Sequence, residues 1–194
     1  MNPAEIVEAR FKSSCAVKEK TLAALKNDIV KAASILAAAI KSGHKLLTAG
    51  NGGSAADAQH MAAEFVGRFL IERPGLPAIA LTTNTSALTA IVNDYPPETV
   101  FSRQMTALGN AGDVFIGFST SGNSKNVVEA IKAAKAKGVK TIAITGEGGG
   151  AMGKVADITL AVPSKETPRI QETHLLILHV ICELVDNELF PQKA

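Results

Sequence analysis

The sequence predicts a three-layer α/β fold: a five-stranded, mainly parallel sheet flanked by helices, with an N-terminal helical arm. Three observations predict it. Five short runs with strand character, at 45–49, 78–81, 114–118, 141–145 and 158–162, alternate with segments of helical spacing. The central runs are nearly continuously apolar, as strands buried on both faces of a parallel sheet must be. Ahead of the first run, residues 2–43 carry helical patterning and no strand signal. A chain of 194 residues suits one domain, 1–194, divided into N-terminal helices (1–43) and an α/β core (44–194) that closes with a long helix.

Each element has its own signal. Asn2 and Pro3 make a cap and a first turn, since proline there lacks only an N–H that would be unpaired anyway. The helix they open is expected to run to about residue 25. Asn27-Asp28 then restarts a second helix, in which Ile29, Val30, Ala33, Leu36, Ala37 and Ile40 form one apolar stripe up to Gly43. The first helix carries Ile6, Val7, Phe11, Ala16 and Val17, so the arm either covers its own sheet or packs on another subunit. Further helices are expected over 55–70, 85–93, 98–109, 124–137 and 169–189, in the gaps between strands.

Composition narrows the function classes. Twenty basic against eighteen acidic residues leave a net charge of +2 without a dense Lys/Arg block, which argues against a nucleic-acid surface. No apolar run is long enough to span a bilayer, and residues 1–5 lack the charged and apolar regions of a signal peptide. Cys15 and Cys182 stand in no metal or redox spacing and are expected as thiols in a reducing compartment. A cytoplasmic protein without nucleic-acid or membrane partners is the expectation. Alanine is abundant, tryptophan is absent and Tyr95 is the single tyrosine, so the chain offers little aromatic surface for stacking bases or sugars.

Two loops carry the chemistry. After the 45–49 run comes Gly50-Asn51-Gly52-Gly53-Ser54, whose glycines permit a tight turn and close approach of a ligand to the backbone. Ser54 is expected to cap the following alanine-rich helix. On that helix His60 and Glu64, four apart, share one face. They suit a metal site or acid/base work, and equally a solvated surface pair. The 114–118 run ends in Ser119-Thr120-Ser121-Gly122-Asn123-Ser124, with a helix starting near Ser124. Hydroxyls gathered at a helix N-terminus form an anion site that needs no lysine. In an open parallel sheet both loops lie beyond the carboxyl ends of the strands, where ligands gather.

The second loop resembles the phosphosugar signature of the sugar isomerase (SIS) domain family. The segment from Ala49 to His60, together with Asn93-Asp94, Phe101-Ser102-Arg103-Gln104 and Arg169-Ile170-Gln171-Glu172-Thr173-His174, resembles the phosphoheptose isomerase branch. The likeness spans nearly the whole chain in order. It implies an aldose–ketose isomerase acting on sedoheptulose 7-phosphate and a homotetramer; sites at subunit boundaries are expected from the spacing of Gln171 and His179 and from the apolar N-terminal arm. The likeness implies phosphate binding by Ser119, Thr120, Ser121 and Ser124, and sugar contacts by Asn51, Gly52, Gly53, Ser54, Asn93 and Asp94. It also implies one zinc ion per subunit held by His60, Glu64, Gln171 and His179, with Glu64 as base, His179 as acid and Gln171 touching substrate. Asp57, one turn before His60, is either a carboxylate that orients its ring or a helix-start acid. His174 belongs to the motif and has a packing or a catalytic role; His44, in a helix-to-strand turn, is structural. Thr167-Pro168 stands where some members carry an acid before Arg-Ile-Gln; proline there suits a helix's first turn and leaves the metal set intact, and a role for that acid is not carried over to this chain.

Gln171 and His179 are eight apart, about 12 Å along a helix axis. One ion reaches both only if the side chains converge, if the helix begins after Gln171, or if a neighbouring subunit completes the site. The rival function is a non-enzymatic SIS paralogue that binds a replication initiator or senses a phosphosugar. Glu64 discriminates, because the initiator-binding branch lacks a carboxylate there.

Overall fold

Five strands form one parallel sheet among residues 2–191, which the computed structural model describes. Met1 and residues 192–194, included in the single unit expected above, lie outside the described residues. The strands are β1 (Leu46–Ala49), β2 (Ala78–Ala80), β3 (Val114–Ser119), β4 (Lys140–Thr145) and β5 (Ile158–Ala161), in spatial order β2-β1-β3-β4-β5. All four pairings are parallel. Alternate residues feed two cores. Leu46, Val114, Ile116, Phe118, Ile142 and Ile144 point to one face, Leu47, Phe115 and Ala143 to the other.

Helices α1 (Pro3–Lys41), α2 (Gly53–Val66) and α7 (Thr167–Leu189) cover the first face. The second face is covered by α4 (Val100–Leu108), α5 (Lys125–Ala136) and the single turn α6 (Gly150–Gly153). Gly117 sits where α5 comes closest, since a Cβ there would press on Val127 at 2.7 Å. Helix α3 (Thr85–Asp94) buries none of its residues. Cys15 is exposed and Cys182 buried, both as free thiols. None of the helices among the described residues is long and apolar enough to cross a membrane.

Several expectations are corrected. The arm is one helix of 39 residues, not two. Its start is a full capping box: Glu5 N donates to Asn2 Oδ1 and Asn2 N to Glu5 Oε2. Asn27 and Asp28 each cost at most about 0.7 kcal/mol inside a helix. Burial of Leu25, Ile29, Ala32, Ala33 and Leu36 on either side outweighs that and carries the helix through. Ser54 is not a cap: Gly52, at φ +55°, holds that position, and Ser54 is buried in the first turn. The 98–109 helix is split into a 3₁₀ turn (Pro97–Thr99) and α4. The glycine-rich turn α6 falls where no helix was expected.

Candidate active site

Strand order reverses direction between β1 and β3, the switch point beside which ligands bind in open α/β sheets. The loops after β1 and β3 both leave the sheet there. Gly50 is required in the first, because a Cβ would run into the main chain of Ser54. Asn51 and Asn126, on the first turn of α5, exchange two side-chain hydrogen bonds of 3.0 and 2.9 Å, tying one loop to the other.

The serine loop is organised around Ser119, which is buried at the end of β3. Its Oγ lies 2.8 Å from Ser124 Oγ and 3.4 Å from Ser121 Oγ. Ser124 therefore turns inward instead of capping α5. Gly122, at φ +65°, rests so close on the Gly149 carbonyl that no side chain fits. The segment after β4 braces the loop further. Gly146 N donates to Thr120 O, Met152 N to Gly122 O and Ala151 N to Asn123 Oδ1. Behind it, the buried His174 ring approaches Thr145 O at 3.1 Å, and burial pushes its pKa down to about 4. His174 is thus a neutral strut of the core, donating through Nε2, and not an acid at the site.

The second centre lies between α2 and α7. Nε2 of His60 stands 2.8 Å from Glu64 Oε1 and 3.2 Å from Nε2 of His179. All three donor atoms lie within 4.8 Å of one another. A single proton on His60 Nε2 cannot satisfy two acceptors at full strength, so lone pairs converge on one point. A tetrahedral ion with bonds of about 2.0–2.1 Å holds its ligands about 3.3 Å apart, close to these spacings. Two imidazoles and a carboxylate are a donor set that zinc accepts, so the residues fit the metal. Phe69 stacks on the His179 ring, centroids 5.4 Å apart. Burial, then the nearby His60, lower the His179 pKa, and Glu64 opposes them.

Other expected residues fall outside this cluster. Asp57 makes no hydrogen bond to His60; its Oδ2 is buried without a partner and burial raises its pKa to about 6. Helix α7 begins at Thr167, so Gln171 and His179 share one continuous helix. The Gln171 amide lies against Gly53 at the head of α2, while His179 meets His60 two turns further on. Within one protomer Gln171 therefore belongs to the loop end of the α2–α7 pair. Asn93 and Asp94 are exposed at the end of α3, where Asn93 Nδ2 donates to Asp94 Oδ1 at 2.8 Å.

Sequence reasoning missed Asn126, Phe69, Arg73 and the bracing loop. Only the last had a visible signal, the run Gly148-Gly149-Gly150, whose residues all adopt positive φ.

Residues 11–146 match the family model described as the SIS domain. A phosphoheptose isomerase from Sulfurimonas denitrificans is 55% identical over 164 residues, 84% of each chain. The solved structure of a phosphoheptose isomerase from Neisseria gonorrhoeae matches with a TM-score of 0.90 at 47% identity, covering 95% of this chain and 98% of that one. Another from Francisella tularensis gives 0.93 at 38% identity, covering 96% and 100%. With the serine loop, the glycine loop and the His60–Glu64–His179 cluster all in place on this fold, the chain belongs to the SIS domain family, in the branch of the phosphoheptose isomerases.

Proposed function

We propose that this protein interconverts sedoheptulose 7-phosphate and D-glycero-D-manno-heptose 7-phosphate, a step toward the heptose of bacterial lipopolysaccharide, in the cytoplasm. The observation that carries the reading is the carboxylate of Glu64 beside two imidazoles, on a helix that springs from the glycine loop. A binding module needs the loops alone; an isomerase also needs a base.

Ser119, Thr120, Ser121 and Ser124, with the N-terminus of α5, hold the phosphate. Asn51, Gly52, Gly53, Ser54, Asn93, Asp94 and Gln171 serve the sugar hydroxyls. Glu64 takes a proton from C1 of the ketose, and the freed electron pair forms the C1=C2 bond. His179 gives a proton to the former carbonyl oxygen on C2, leaving an enediol. Glu64 then delivers its proton to C2 while the O1 proton passes to His179, which produces the aldose and restores both groups. His60 Nε2, 2.8 Å from Glu64 Oε1, holds the carboxylate in place.

Zinc, one ion per subunit, suits His60, Glu64 and His179; Gln171, at the loop end of the same helix pair, would serve as a fourth donor from a neighbouring subunit. When bound, the ion supplies Lewis-acid polarisation of the substrate oxygens. Gln171 and His179 stand two turns apart on α7, and α3 and the outer part of α1 leave apolar side chains exposed. Both support a homo-oligomer, a tetramer, whose sites lie at subunit boundaries. Residues 1–194 act in it as one unit. Incubation with sedoheptulose 7-phosphate, followed by NMR, tests the function through the appearance of aldose signals.

A further inference from the structure

The segment that follows α2 doubles back over the end of that helix. Gly67 N donates to Ala63 O and closes the last turn. That leaves the carbonyls of Glu64, Phe65 and Val66 without helical partners, as at every helix C-terminus. Gly75 approaches so closely that a Cβ would lie 2.6 Å from Val66 O, and Leu76 N donates to Phe65 O.

Arg73 fills the space between. Its Nη2 donates to Glu64 O at 2.9 Å, and its Nη1 to Phe65 O at 2.9 Å, with longer contacts to Pro74 O and Gly67 O. Its Nε donates to Asp186 Oδ1 at 2.7 Å. Both side chains are sealed from solvent, at 1% and 3% exposure. Asp186 lies seven residues after His179 on α7, two turns along the same face. One guanidinium therefore joins the main chain of Glu64 to the helix that carries His179. The same returning segment supplies Phe69, stacked on the His179 ring.

A buried ion pair is a poor way to gain stability, because desolvation offsets most of the attraction and apolar groups of equal volume do as well. Asp186 even leaves its Oδ2 buried and unpartnered. What an apolar replacement cannot do is bond three consecutive structural points at fixed angles: the Glu64 carbonyl, the Phe65 carbonyl and α7. The planar fork of arginine is built for that.

We infer that Arg73 and Asp186 are a positioning pair for the reaction, setting the distance between the Glu64 carboxylate and the His179 ring by clamping the end of α2 to α7. The inference rests on the assignment of Glu64 and His179 as the proton-transfer pair. Neither clamp residue touches substrate. A displacement of even 1 Å between acid and base is enough to lower a rate about a hundredfold.

The test uses the full-length protein with Arg73→Met and Asp186→Asn. Each should lower kcat at least about tenfold, with KM for sedoheptulose 7-phosphate within about twofold of wild type, since the phosphate loop is untouched. Titration of metal-free protein with Co²⁺, read by its absorbance, should show affinity about tenfold to a hundredfold weaker. Asp186→Asn keeps the size and one acceptor oxygen, so it decides the matter if Arg73→Met does not fold. Wild-type kcat per folded chain and wild-type Co²⁺ affinity, with only a lowered Tm, would overturn the clamp and leave the pair purely structural. If wild type itself fails to isomerise the sugar, the functional reading falls, while the Co²⁺ titration still reports on the clamp.

Discussion

Nε2 of His60 and Nε2 of His179 stand 3.2 Å apart although 119 positions separate them in the chain. The contact joins α2 to α7. Two imidazole nitrogens at this distance share one proton at most, and with Glu64 Oε1 also 2.8 Å from His60 the point they surround is rich in lone pairs.

Such a point attracts a cation. Protein purified without chelator should carry about one zinc per chain, measured by elemental analysis after exhaustive dialysis. His60→Ala and His179→Ala should each remove it. Full activity in protein stripped of metal would take zinc out of the mechanism.

Ser119 Oγ is the hub of the serine loop, in reach of Ser121 and Ser124. A hydrogen bond to a charged group contributes about 1.5–3 kcal/mol. Ser119→Ala should therefore raise KM for the phosphosugar about tenfold to a hundredfold while kcat stays within about threefold. Steady-state kinetics check it, and inorganic phosphate should lose potency as an inhibitor in parallel.

His174 gives a pH dependence with a definite sign. Its folded pKa is about 4, below the ordinary 6.5 that applies in the unfolded chain, because burial disfavours the imidazolium. Above 6.5 neither state is protonated and the full stability is present. As pH falls from 6.5 to 4 the unfolded chain takes up a proton that the native protein does not, and about 3 kcal/mol is lost. Denaturant titrations across that window should show this slope in wild type. His174→Gln should flatten it by one proton, and an unchanged slope would show that other groups carry the dependence.

The outer part of α1 exposes a row of large apolar side chains, with Phe11 at 73%. Exposed apolar rows of this kind are typical of protein–protein contact surfaces. Phe11→Asp should convert the proposed tetramer to smaller species in sedimentation velocity, with loss of activity, because the proposed sites need a neighbour. A tetramer that survives this change would place the interface elsewhere.

How much of this was legible in the sequence follows from the range of each signal. The strands were legible to within one or two residues, because a sheet buried on both faces leaves apolar runs such as Val114-Phe115-Ile116. The serine loop was legible because hydroxyls and glycine cluster within six residues. His60 and Glu64 could be paired from their spacing of four. His179 entered by family resemblance alone, since no periodicity links positions so distant. Strand order, and with it the meeting of the two loops at β1 and β3, is set by crossover packing and leaves no local trace. Ser54 was misread because serine before an alanine-rich run is a common cap, whereas here Gly52 turns the chain at φ +55° first. Asn27-Asp28 was misread because weak local penalties yield to tertiary burial. Arg73 carried no signal at all: its partners are main-chain carbonyls and a carboxylate on another helix.

The most direct test of the central claim is sedoheptulose 7-phosphate turnover followed by NMR for wild type and Glu64→Gln side by side. The account predicts that wild type builds up the heptose aldose. Glu64→Gln should bind the phosphosugar with affinity near wild type yet form product at least about a thousandfold more slowly. Near-normal turnover in Glu64→Gln, or a wild type that leaves the ketose untouched, would contradict it.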